Sequence, residues 1–162
     1  PDYAVTGVQT CALPIYGFYE AYLPYVTEDV AAFYRMMKVE SDDVPLKDAA
    51  VVIEWVSLFE RAAAWEAFTE AYPNSDLFDS GKDKYLSYVD WSFNGAPNTP
   101  VFDWDQKVLT DSYREGIETF LATNPNGAFS DALRSFYDLV KANDYVQNTE
   151  IEKIQSKYLR VY

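Results

Sequence analysis

The 162-residue chain has no histidine and a single cysteine, Cys11. Without histidine, Ser-His-Asp and Cys-His machinery is excluded, and one cysteine cannot close an intrachain disulfide or a thiolate zinc set. Glycine is scarce at six residues, and no phosphate-cradling glycine loop occurs. Positive charge is scarce as well: 13 Lys and Arg stand against 26 Asp and Glu, a net charge of −13. Such a field repels phosphate backbones, and the cations are scattered, so a nucleic-acid partner is not expected. No apolar run approaches the roughly 20 residues of a membrane span.

Aromatic residues are abundant at 17% of the chain, far above what a disordered acidic segment carries. The chain is therefore expected to fold. The opening fits poorly with the remainder. Residues 5–15, VTGVQTCALPI, carry no charge and sustain neither a helical nor a strand period. They lack the basic flank and continuous apolar core of a signal peptide. This stretch resembles the translation of a short-read sequencing adapter, whose fixed flank Asp2 also fits. The resemblance implies that residues 1–15 are a non-native leader and that the native segment, without Cys11, begins near Tyr16.

From there the apolar spacing is helical nearly throughout, which predicts an all-α domain over 16–162 with about five to six helices. Thr27 is placed to cap a first helix that ends before Pro45. A long helix is expected from Pro45 to Ala71, with Val52, Val56, Phe59 and Ala63 as its stripe. Glu54, Glu60, Glu66 and Glu70 fall largely outside that stripe. The next helix is expected from Asp76 to Phe93, although Tyr85–Val89 also suits a strand. Asn94–Pro100, with two prolines, is expected to be a plain loop. Helix is predicted again from Gln106 to Thr123, and after Asn124-Pro125-Asn126-Gly127 through Phe129–Val140. Thr149-x-x-Glu152 reads as the capping box of a last helix near 149–160.

Two segments resemble each other at an offset of 52 residues, with hairpin units near 45–93 and 106–144. The matching columns are Glu66/Glu118, Phe68/Phe120, Pro73/Pro125, Asn74/Asn126, Asp79/Asp131 and Tyr85/Tyr137. Ala64 and Gly116 supply small residues where a neighbouring helix could approach, Phe68 and Phe120 follow four residues on, and Pro-Asn ends each first helix. At Ala64-x-x-x-Phe68-x-x-x-Tyr72-Pro73-Asn74-Ser75 the chain resembles the tetratricopeptide-like hairpins of bacterial cell-envelope proteins. The likeness covers 59–143; the standard Trp-x-x-Leu-Gly-x-x-Tyr opening is missing, and the spacing exceeds the usual ~34 residues. An irregular antiparallel helical bundle is the alternative architecture.

No residue presents itself as catalytic, cofactor-binding or metal-ligating, and no cofactor is implied. Phe102-Asp103-Trp104-Asp105 is the sharpest local feature. Asp-x-Asp can hold a cation, but Lys107 occupies a position where an EF-hand loop needs an oxygen ligand. The plainer reading is that Phe102 and Trp104 pack while an Asp caps a helix beginning near Gln106. With Trp91, these residues form the candidate ligand or partner surface. The leading functional expectation is a non-enzymatic helical module that binds a basic or neutral polypeptide, in a cell-envelope or secreted setting as the resemblance implies. The alternative is a glycan site using Trp91 and Trp104. An enzyme built on paired carboxylates comes third. Exposure of both tryptophans beside a concavity favours the glycan; burial of both favours the scaffold.

Overall fold

The computed structural model describes residues 15–160, so the adapter-like leader up to residue 14, with Cys11, lies outside the described residues. Where the sequence suggests one domain over 16–162, the chain gathers into two compact units, one ending at Asp43 and one beginning at Val44. The first unit comprises α1 (Ile15–Phe18), a 3₁₀ segment (Tyr19–Tyr25) and α2 (Glu28–Asp42). Tyr16 and Tyr19 pack edge-on against Tyr34 of α2, with ring centroids 5.7 and 5.1 Å away. Thr27 takes the N-cap position with extended backbone, but its side chain makes no capping hydrogen bond. Glu28 and Asp29 lie in the first turn, where the helix dipole favours acids.

The second unit is mostly helical, with two small antiparallel ribbons. Its elements are β1 (Leu46–Lys47), β2 (Ala50–Val51), α3 (Trp55–Ala71), α4 (Phe78–Asn94), β3 (Gly95–Ala96), β4 (Thr99–Pro100), α5 (Asp111–Thr123), α6 (Ala128–Ala142) and α7 (Thr149–Tyr158). Short turns join α3 to α4 and α5 to α6, and α3 packs against α4, α5 and α6. The core is aromatic: Phe59, fully buried, meets the rings of Trp55, Tyr113 and Phe120 at 5.4–6.0 Å.

Several expectations are corrected. The long helix starts ten residues late, because Leu46–Val51 fold into the β1–β2 ribbon. Val52 is consequently exposed, and the buried face of α3 is Trp55, Leu58, Phe59, Ala62, Trp65 and Phe68. Glu66 is buried too, contrary to its solvent-side reading. Ala64 is exposed, whereas Gly116 is a true close approach: a Cβ there would lie 2.5 Å from Trp55 Cβ. Residues 94–100 hold the β3–β4 ribbon rather than a plain loop. Helix α5 begins at Asp111, not near Gln106, since Phe102 and Val108 form strand-like bridges with Leu109 and Val146. The cap of α7 is Asn148, whose side chain accepts from the Glu150 and Ile151 N–H groups at 3.0 Å.

The two helical hairpins share details at the 52-residue offset. Tyr72 caps the C-terminus of α3 and Asn124 that of α5, each with its N–H donating to the carbonyl of Phe68 or Phe120. Tyr85 donates its hydroxyl proton to Glu66 at 3.1 Å, and Tyr137 donates to Glu118. Glu66 has a second role, accepting the Phe129 N–H at 2.7 Å and so tying the first hairpin to the start of α6.

Candidate functional site

The two ribbons and the end of α4 build a concavity of the second unit. Asp48 and Ala49 turn the β1–β2 ribbon with positive φ of 51° and 59°, the mirror-image geometry that suits a two-residue hairpin. Asn98, at the tip of the β3–β4 ribbon, clamps that turn. Its backbone N–H donates to Ala49 O at 2.9 Å and its side-chain amide to Asp48 O at 2.7 Å. Thr99 Oγ1 accepts from the Val51 N–H at 3.0 Å. Gly95 opens β3 with φ of 74°, and a Cβ there would collide with Thr99 O. Only glycine serves at this junction of α4 and ribbon.

A cleft of about 410 Å³ lies here, lined by Asp90, Trp91 and Asn94 of α4, ribbon residues including Pro97 and Pro100, and Trp104 and Arg160. Trp91 is half-buried and rests edge-on against Tyr88, with centroids 5.1 Å apart. Trp104 is 60% exposed. It rides a loop that its neighbour holds: Asp103 Oδ1 accepts from the Asp105 and Gln106 N–H groups at 2.9 and 2.7 Å. The Asp103 N–H in turn donates to Val108 O at 2.8 Å. The expected capping aspartate is thus real, but it caps a turn and not a helix.

The structure brings together only part of the sequence-derived set. Trp91 and Trp104 share the cleft, whereas Phe102 is buried away in the core, 6.4 Å centroid to centroid from Phe136. Asp103 and Asp105 are exposed and do not line it. Among the described residues no three acidic side chains converge as a metal-ligand set.

Three polar members were missed by the sequence reading: Asp90, Asn94 and Arg160. Asp90 is 6% exposed, and its carboxylate accepts from Asn94 Nδ2 at 2.9 Å and from the Arg160 backbone N–H. Burial holds its carboxyl above the ordinary range, against the opposing pull of those donors and the Arg160 charge. Arg160 is carried there by the chain leaving α7. Its guanidinium donates to Asp83 Oδ1 at 2.9 Å, and to Asp83 O and Ser87 Oγ at 2.7 Å. Asp90 sits one residue before Trp91, and nothing in the spacing marked it as a cleft residue.

Other depressions lie among the described residues. In the first unit Phe18, Tyr19, Tyr22, Leu23, Val26, Val30 and Tyr34 line an apolar groove of about 380 Å³. In the second, a smaller recess of about 290 Å³ between α3 and α5 holds Glu54 and Glu115. Asp90 is the only acid among the described residues lining the tryptophan cleft, so that cleft offers no carboxylate pair for acid–base chemistry. No helix among the described residues is long and apolar enough to cross a membrane. No family model, curated protein or solved structure matches the chain.

Proposed function

We propose that the protein is a non-enzymatic helical binding module that takes a sugar ring in the cleft between Trp91 and Trp104. The observation that carries this reading is the joint placement of a 60% exposed Trp104 and a half-buried Trp91 on one concave surface. An exposed indole plane supplies the apolar face of a pyranose with a partner, while Asp90 and Asn94 beside it offer hydrogen-bonding groups for hydroxyls. The other two tryptophans, Trp55 and Trp65, are buried in the core. The sugar reading therefore has support that an aromatic-rich interhelical groove lacks in this unit.

We read the two hairpins as copies of one tetratricopeptide-like unit, supported by their matching C-caps and Glu–Tyr hydrogen bonds. A cell-envelope or secreted setting rests on that resemblance. A polypeptide partner is the second reading, favoured by the exposed Phe18, Tyr22 and Tyr25 in the first unit, where the apolar groove lies.

Affinity electrophoresis of the full chain through gels containing neutral, amino and acidic polysaccharides tests the sugar reading. At least one polysaccharide retards the protein, and Trp104→Ala weakens that retention about tenfold, the loss of ~1.4 kcal/mol. Because Trp104 is exposed, the variant keeps its fold by circular dichroism. Unchanged mobility across the panel, or equal retention of the variant, refutes the assignment.

A further inference from the structure

We infer that the tryptophan cleft selects its sugar by charge, taking amine-bearing sugar residues in preference to neutral ones and turning anionic ones away, with the Asp90 carboxylate as the group that reads the amine. This rests on the sugar-binding reading above and names its ligand class.

Among the described residues lining the cleft, two carry charge, Asp90 and Arg160. The Arg160 guanidinium is already committed, since the Asp83 carboxylate balances it and Asp83 O and Ser87 Oγ take further N–H groups. A uronate or sulfate entering the cleft would have to compete with Asp83 for that cation. It would also enter against a net charge of −13. Asp90 is in the opposite situation. Its carboxylate receives two neutral N–H donors, from Asn94 and the Arg160 backbone, out of the roughly four acceptor positions an ionised carboxylate presents. The Arg160 charge also acts on it, but that guanidinium is ion-paired with Asp83, so among the described residues the cost of burying Asp90 is only partly offset. Burial makes its charge costly, as the upward displacement of its titration reflects. An ammonium placed beside it offsets that cost and donates up to three hydrogen bonds. The flanking indoles supply the planes for the ring that carries the amine.

The test is titration of the full chain at pH 7, followed by tryptophan fluorescence. The probes are glucosamine tetramer, N-acetylglucosamine tetramer, galacturonate tetramer and tetralysine. The expected order is glucosamine first, the N-acetylated sugar roughly tenfold or more weaker, and galacturonate without measurable binding. Asp90→Asn removes the preference for glucosamine and leaves the N-acetylated sugar where it was. In the unmodified protein, added salt weakens only the glucosamine complex, a readout that does not depend on the variant's folding.

Equal affinity for the two neutral and amino tetramers, or a preference that survives both salt and Asp90→Asn, overturns charge selection while leaving sugar binding in place. Binding of tetralysine but neither amino sugar overturns it in favour of a peptide amine. If neither glucosamine form binds, the amine preference is wrong, and retention in the polysaccharide gels decides whether sugar binding itself survives.

Discussion

Single side chains carry unequal weight in this molecule, and the two Glu–Tyr pairs show why. Glu66 is buried and holds two donors, the Tyr85 hydroxyl and the Phe129 N–H; Glu118 is exposed and holds Tyr137 alone among the hydrogen bonds described. Leaving a buried donor unpaired costs about 1–3 kcal/mol, whereas water replaces an exposed acceptor. Glu66→Ala is therefore expected to lower unfolding free energy by about 2–4 kcal/mol and Glu118→Ala by less than about 1 kcal/mol, as read by urea denaturation. Asp90 titrates in the opposite sense to a salt-bridged acid. Its carboxyl is raised in the folded state by burial, so its stabilising contribution is present below the ordinary aspartate range and is lost as pH rises through the displaced value. Asp90→Asn should then unfold at a higher temperature than the parent at pH 7, with the gap closing on acidification. A gap that persists at low pH would assign the effect to packing.

Among elements, the ribbons are the part that propensity alone does not explain. The β1–β2 turn places Ala49 at φ 59°, a region that costs a non-glycine residue about 1–2 kcal/mol. Glycine removes that strain and gives back about 0.4–1 kcal/mol through the freer unfolded chain. Ala49→Gly should accordingly stabilise by about 0.5 kcal/mol, visible as a small rise in the denaturation midpoint without loss of cleft binding. Legibility follows the same line. Helix α6 was readable because Phe129, Leu133, Phe136 and Val140 recur on one face, and Pro73 and Pro125 marked where α3 and α5 must stop. Leu46–Val51 was not, because its turn is Asp-Ala and lacks the Asn-Gly or Asp-Gly signal, and what holds it is Asn98, far along the chain. At the cleft, Trp91 and Trp104 were visible as unusual residues. Their polar neighbours were not, since Arg160 reaches α4 only through the packing of α7.

At the scale of the whole chain, the division at Asp43 and Val44 separates a small aromatic unit from a larger one with its own buried core. Residues 44–162 include every described element around the cleft, from β1 to Arg160. A protein beginning at Val44 should unfold cooperatively by heat and keep its tryptophan-cleft binding. A broad, non-cooperative melt would show that the larger unit needs the smaller one.

The doubly used Glu66 bears on how such a molecule can change in length. Arrays of stacked hairpins ordinarily grow or shrink by duplication and deletion, because each junction resembles the next. Here one carboxylate satisfies a partner within its own hairpin and the first turn of α6, the second helix of the hairpin that follows. A copy spliced between them would separate Glu66 from Phe129 and leave a buried amide unmet, unless the newcomer brought its own acceptor. The junction therefore resists insertion between the two hairpins, since any intervening segment must supply its own acceptor for the Phe129 amide.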